Sequence, residues 1–359
     1  MPRYTAEKDL LSYTAIALTA EYCDQLESHG ARIQNAVLDR VDCARILKDA
    51  SDLPGYFSLF IRLINTMGEF TTLASGIYLE GLAVDYERNI VWYSDVIGGG
   101  VHGLMPDCSI KSVNTDRMWT GGLMINADGS VLSSGEGGIM WNNLETGGSG
   151  WLIQEIDGRV INGINEMSPD GRGGLIFGTC DLARVKIGAT PRSTSIYRLT
   201  AEGEVIKLAD EIGFSNGLIF DRVRQKLYCN DTFNRCWVFD VTPELTLSNK
   251  QVFLDKDDVD GMALDAEGNV WVTGFRSSSV TRVRPDGVIL PPLTTPAGAV
   301  TQIRFGGADM RDLYINSVPI DGGDKLKEGE ITTEKNSLML HTRSETAGMP
   351  IDSTQFTLE

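Results

Sequence analysis

Histidine is scarce in this sequence: His29, His102 and His341 are the only three in 359 residues. A serine or cysteine nucleophile activated by histidine, or a zinc site built on imidazoles, therefore has little to draw on. His102, in "GGGVHGL", reads as an outer-strand residue rather than a catalytic base. Cysteine is thin and dispersed, at positions 23, 43, 108, 180, 229 and 236, with no C-x-x-C pair. This excludes a dense disulfide framework and favours a reducing compartment. No apolar run approaches the roughly 18 residues of a membrane-spanning helix. "LLSYTAIALTA" (10–20) has the apolar character of a signal-peptide core, but Glu7 and Asp9 stand where basic residues belong, so a cytoplasmic location is expected. Basic charge is short as well: 32 Lys and Arg against 49 Asp and Glu leave a net charge of −17. That balance argues against nucleic acid and anionic membranes as partners, and it suits a cation.

What is present is a repeat. "EGLAVD" begins at Glu80, "GGLMIN" at Gly121, "NEMSPD" at Asn165, "NGLIFD" at Asn216, "DGMALD" at Asp260 and "TQIRFG" at Thr301. The separations are 41, 44, 51, 44 and 41 residues. The third and fifth residues of each copy are mostly apolar, as in Leu82/Val84 and Met262/Leu264, the period of a strand with one buried face. A polar turn and a second apolar strand follow, as in "YERN" then "IVWYSD" or "AEGN" then "VWVTG", and two further strands fit before the next copy. Six such units predict an all-β fold, a six-bladed β-propeller over residues 66–359. Evenly spaced copies of this kind are not what a β-sandwich would give. "MGEFTTLASG" (67–76) is expected to close the ring by pairing with "SLMLHTR" (337–343), and 321–336 is expected to be a polar surface loop.

The first 65 residues differ. Leu11, Ala15, Leu18, Tyr22 and Leu26 recur at helical spacing, and Ile33, Val37, Val41 and Ala44 suggest a second helix broken at "DLPG". Residues 1–65 are thus expected to be an α-helical extension that packs on the propeller or forms a homodimer contact.

If the six opening residues are equivalent, Glu80, Gly121, Asn165, Asn216, Asp260 and Thr301 form a ring at one mouth of the central channel. Two carboxylates converging there would repel unless a cation neutralises them. With the oxygens of Asn165 and Asn216 they make a hard donor set suited to Ca²⁺, Mg²⁺ or Mn²⁺. Asn-Gly and Asp-Gly are also common turn dipeptides, which is the competing explanation for single copies; Glu80-Gly81 and Asn165-Glu166 fit it poorly. Asp85, Asp170, Asp221 and Asp265, five residues after each opening, are expected to cap the first turn. Asp95, Asp181 and Asp231 end second strands, where they either cap or line the mouth, and Asp231 is kept as a substrate-binding candidate.

These segments resemble the senescence-marker-protein/gluconolactonase/regucalcin-like family. The resemblance is carried by "EGLAVDYERNIVWYSDV" (80–96), "GGLMINADGSVLSSGEGGIMWNNLETG" (121–147), "NEMSPDGRGGLIFGT" (165–179), "SNGLIFDRVRQKLYCND" (215–231) and "DGMALDAEGNVWVTGF" (260–275). It implies a six-bladed propeller holding one divalent cation and an enzyme that opens a lactone or related small ester with cation-activated water. Calcium is the first expectation, with magnesium, manganese, zinc and iron as alternatives. By the same resemblance, Glu80, Asn216 and Asp260 match metal ligands. Asn165 matches an asparagine facing both substrate and metal-bound water, and Asp260 the general base. Sugar-lactone hydrolases often carry an arginine two residues before the position of Asn165. Here that residue is Gly163, and Trp119, Met140, Trp141 and Phe214 are candidates to line a less polar pocket or to serve as core. The competing functions are a metal-dependent lyase or isomerase, a strictosidine-synthase-like enzyme, and a non-catalytic cation-binding propeller.

Overall fold

The computed structural model describes residues 70–328, 330 and 333–358. The helical extension expected over 1–65, and the dimer contact assigned to it, lie outside the described residues. From Thr71 onward the chain is made of short antiparallel strands with two helices among the described residues, Leu182–Val185 and Gly322–Lys327. Neither is long or apolar enough to cross a membrane. The described cysteines, Cys108, Cys180, Cys229 and Cys236, are all unpaired.

All six repeated segments are strands: Leu79–Asp85, Thr120–Ile125, Ile164–Pro169, Ser215–Asp221, Val259–Leu264 and Ala299–Gly306. Each packs beside the next, and the last packs beside the first. Successive side chains on these strands point into opposite flanks. Leu82 therefore joins Met339 in one apolar cluster while Ala83 joins Leu123 in another. Further clusters of the same kind lie between the following pairs of strand groups, such as Ile176 with Leu218 and Ala263 with Ile303. The core is thus divided into wedges between neighbouring groups of strands, giving an all-β, propeller-like fold.

Hydrogen bonding does not divide the strands into six equal sheets. Four separate four-stranded sheets run Leu79 to Val113, Thr120 to Ile153, Ile164 to Ile212 and Ser215 to Leu254. Glu155–Ile156 and Arg159–Val160 pair as a two-stranded sheet, and the other eight strands form one sheet, because Gly274 pairs with Val300 and joins two groups that the repeat keeps apart. In that sheet Thr71–Gly76 pairs antiparallel with Ser337–Arg343, from Thr71 opposite His341 to Gly76 opposite Ser337. This is the long-range pairing the sequence predicts.

Every inner strand breaks register at the repeated opening. The slips fall between Leu79 and Leu82, Thr120 and Leu123, Ile164 and Met167, Ser215 and Leu218, Val259 and Met262, and Val300 and Gln302. A bulge leaves backbone unpaired and re-aims a side chain. The freed carbonyls are met by side chains of the preceding strand group. Ser94 Oγ donates to Gly121 O at 2.9 Å, Ser134 Oγ to Asn165 O at 2.6 Å and Asn230 Nδ2 to Asp260 O at 2.6 Å. Thr273 Oγ1 donates to Thr301 O at 2.9 Å, and Asn316 Nδ2 returns to Glu80 O at 3.0 Å.

The bulges also correct the turn reading of Asn-Gly and Asp-Gly. Gly217 and Gly261 lie inside strands, and a Cβ at Gly217 would overlap the Asp260 carbonyl, as one at Gly81 would overlap that of Gly121. These glycines permit close approach of adjacent strands rather than a reversal. Where Glu166 and Gln302 occupy the same position, their side chains hydrogen-bond to each other and to Arg304.

The aspartates five residues on do cap the turns. Asp85 Oδ1 accepts from Glu87 and Arg88 N, Asp170 Oδ1 from Arg172 and Gly174 N, Asp221 Oδ1 from Val223 and Arg224 N, and Asp265 Oδ1 from Glu267 and Asn269 N, all between 2.7 and 3.1 Å. A feature with no sequence signal is the C-terminal segment, which ties three inner-strand ends or turns together. Met349 N donates to Leu264 O, Thr354 N to Ile125 O and Gln355 N to Gly173 O.

Candidate functional site

Five of the six ring positions, Glu80, Gly121, Asn165, Asn216 and Asp260, line one cavity of about 100 Å³. Thr301 does not; its hydroxyl donates to Leu79 O at 2.7 Å. The bulges explain the convergence, since each re-aims the second residue of its strand away from the ladder. Glu80, Asn216 and Asp260 are buried, and Asn165 is partly open. The Asn165 amide favours the charged form of the Glu80 carboxyl, the Asn216 amide favours that of Asp260, and the two carboxyls interact with each other.

Removal from water pushes the Glu80 carboxyl up to about 7, with the nearby Glu166 adding to the rise. Burial also lifts Asp260 well above the usual carboxylate range, and the charge of Glu80 adds to it. Two carboxyls in one dry site cannot both ionise without a counter-charge. Asp260 Oδ1 is moreover buried with no hydrogen-bond partner. Among the described residues no three His, Cys, Asp or Glu side chains cluster into a metal cage, so any cation here must draw on the amides as well. Two carboxylates, one of them with an orphaned oxygen, and two amide oxygens are hard donors of the kind divalent cations take, and the residues present fit one.

The other sequence candidates divide. Trp119 and Phe214 line the cavity. Trp141 is core, packed with Leu132 and Met167, and Met140 is absent from the lining. Asp231, expected to bind substrate, is also absent from the lining. Its carboxylate is occupied by Phe214 N at 2.8 Å, Asn234 Nδ2 at 2.9 Å and Trp237 Nε1 at 3.1 Å. Asp95 does the same for Ile77 N and Tyr78 N. Both aspartates hold the chain just before an inner strand. His102 sits on Val101–Leu104, a third strand, bonded to Ser112 Oγ.

Sequence reasoning missed Tyr78, Phe233 and Phe275, which also line the cavity. A signal for part of this existed. Tyr78, Trp119 and Phe214 each stand two residues before a ring position. Phe233 carries no such signal, because it sits in a connection between strands. Trp119 and Phe233 have positive φ, 58° and 72°. For bulky side chains this conformation costs roughly 1–2 kcal/mol each and clusters at functional sites.

Comparison with known proteins follows the same lines. The chain is 24% identical over 262 residues to a pentonolactonase of Haloferax volcanii, covering 69% of this chain and 83% of that protein. It is 25% identical over 237 residues to a 6-deoxy-6-sulfogluconolactonase of Pseudomonas putida, covering 64% of this chain and 79% of that protein. A crystal structure of a calcium-binding regucalcin from Agrobacterium tumefaciens superimposes with a TM-score of 0.66 at 20% identity, over 81% of this chain and 98% of that one, a likeness of fold. The SMP-30/gluconolactonase/LRE-like pattern matches residues 79–319, and the chain belongs to that family.

Proposed function

We propose that this protein is a divalent-cation-dependent hydrolase that opens a lactone less polar than a sugar lactone, on a propeller of six blades. The observation that carries the reading is the pair of buried carboxyls of Glu80 and Asp260, lining one cavity with Asn165 and Asn216, with Asp260 Oδ1 left without a partner. The lactonase names of the relatives and the calcium-binding regucalcin fold support the same chemistry. Six bulged inner strands, each packed beside the next and the last beside the first, support a count of six blades.

Glu80, Asn165, Asn216 and Asp260 would hold the cation, with calcium the first choice. When bound, it supplies Lewis acidity that polarises the ester carbonyl and offsets the negative charge developing on its oxygen. The chain's own groups do the remainder. The Asn165 amide, partly open to the cavity, orients the carbonyl or the attacking water. The Asp260 carboxylate takes a proton from that water as it adds to the carbonyl carbon. The ring then opens by cleavage of the acyl C–O bond, and the departing alkoxide recovers a proton to give the hydroxy acid. Apolar and aromatic side chains around these polar groups, Trp119 and Phe214 among them, exclude water and favour a substrate with little hydroxylation.

The test is hydrolysis of a lactone panel by protein stripped with chelator and reloaded with single cations, wild type beside Asp260→Ala. Cation-restored ring opening that disappears in Asp260→Ala is expected. Turnover undiminished by chelation contradicts the cation requirement, and cation binding with no lactone opened contradicts the hydrolase reading.

A further inference from the structure

The cavity is built in two layers. The lower layer is the polar ring. The upper layer takes the residues two positions earlier, where Tyr78, Trp119 and Phe214 line the space. In the Asn165 strand that earlier position is Gly163, and there a side chain has no room: a Cβ would stand 2.9 Å from Leu182 Cβ and 3.0 Å from Cys180 Sγ. The helix Leu182–Val185 fills the place instead. Cys180, Leu182 and Phe214 form an apolar cluster of their own, with Trp119, Val185 and Phe233 packed against it. This part of the wall is therefore largely apolar, and its aromatic rings run from Phe214 to Phe233 to Phe275 at centroid separations of 6.2 and 5.6 Å.

Two rings in this wall are held at a conformational cost. Trp119 and Phe233 both adopt left-handed backbone and both line the cavity. Trp119 N donates to Val96 O at 2.8 Å, and Phe233 N donates to Asp257 O at 2.8 Å, so the strained turns are pinned by backbone bonds. One face of the Trp119 indole is covered by the Lys186 ammonium, 4.6 Å from the ring centre, and Lys186 is anchored to Glu136 Oε1 at 2.7 Å. A ring fixed by its backbone and clamped from outside offers a preorganised flat surface to the cavity.

Resting on the lactonase reading, we propose that Trp119 and Phe233 are the specificity-determining residues of this site. They select lactones that carry a flat, unsaturated or aromatic substituent and reject polyhydroxylated ones. A hydroxylated ring set against this wall would give up bonds to water without replacing them, whereas a planar apolar group meets ring faces and edges.

The experiment compares kcat/KM of the calcium-loaded enzyme for γ-phenyl-γ-butyrolactone, γ-butyrolactone and a pentonolactone. The phenyl lactone is expected to be preferred over the pentonolactone by roughly 100-fold or more. Trp119→Ala should lower kcat/KM for the phenyl lactone roughly tenfold more than for γ-butyrolactone, mainly through KM, with Trp119→Phe restoring most of the difference. Phe233→Leu should act in the same direction. Wild-type tryptophan fluorescence titrated with 4-hydroxy-4-phenylbutanoate, the product acid, reads the same contact without any variant, and saturable quenching is expected. A pentonolactone preferred to the phenyl lactone, or a phenyl preference untouched by both substitutions, overturns the inference and leaves the hydrolase standing. Failure to open any of the three lactones, with calcium bound, contradicts the hydrolase reading on which the inference rests.

Discussion

Asp260 meets two demands at once. Its backbone carbonyl accepts from Asn230 and helps close the ring of strands, while its side chain is buried beside Glu80 with Oδ1 unpartnered. Replacing it by asparagine keeps the shape and removes the charge. Asp260→Asn is expected to lose roughly two orders of magnitude or more in cation affinity and in turnover, read by competition with a fluorescent chelator and by steady-state kinetics. Asp221 looks similar in the sequence, but its oxygens are consumed by Val223 N, Arg224 N and the Arg224 guanidinium. Asp221→Ala should therefore cost about 1–3 kcal/mol in urea unfolding and leave cation affinity unchanged. The two kinds of aspartate were separable in the sequence, because an Asx turn needs its acceptor at the strand end and a ligand needs to sit at the opening. Asp231 was not separable: only the structure places its carboxylate under Phe214 N.

At the level of the element, the inner strand with its bulge is the unit on which the site depends. The alternating apolar positions made these strands legible, and Leu82, Leu123, Met167, Leu218, Met262 and Ile303 are all buried as that pattern requires. The glycines were legible as repeated but not as to purpose. Their role depends on how closely a neighbouring strand passes, and no local pattern encodes that distance. Gly217→Ala should be destabilising by about 1–3 kcal/mol through overlap with the Asp260 carbonyl, measured by denaturant unfolding. It should weaken cation binding as well, since Asn216 and Asp260 flank the overlap. Three of the aromatics above the ring, Tyr78, Trp119 and Phe214, could have been found by stepping two residues back from the openings at Glu80, Gly121 and Asn216. Phe233 and Phe275 could not, because connections between strands carry no period.

For the molecule as a whole, strand order and closure were written in the repeat, down to the pairing of Thr71–Gly76 with Ser337–Arg343. The merging of two strand groups through Gly274 and Val300 was not, and neither was the C-terminal segment that ties Leu264, Ile125 and Gly173 together. Both depend on contacts that the apolar alternation of the repeat does not encode. The buried carboxyls also set a property of the whole fold. With no cation bound, Glu80 holds its proton up to about 7 in the folded protein against about 4.5 when unfolded. The stability this contributes is fully present below about pH 4.5 and is lost as pH rises through about 7. Chelated protein should accordingly melt several degrees lower at pH 8 than at pH 5.5, and the stabilisation given by added calcium should grow over the same interval. Melting curves at the two pH values, with and without calcium, check this; a calcium increment that shrinks as pH rises contradicts it.

The most direct measurement is a calorimetric titration of chelated wild-type protein with calcium, beside Asp260→Asn. A single saturable site in wild type, weakened beyond detection in the variant, is the predicted result. No saturable binding of calcium, magnesium, manganese or zinc to wild type, or equal binding by the variant, would contradict the account that Glu80, Asn165, Asn216 and Asp260 share one cation.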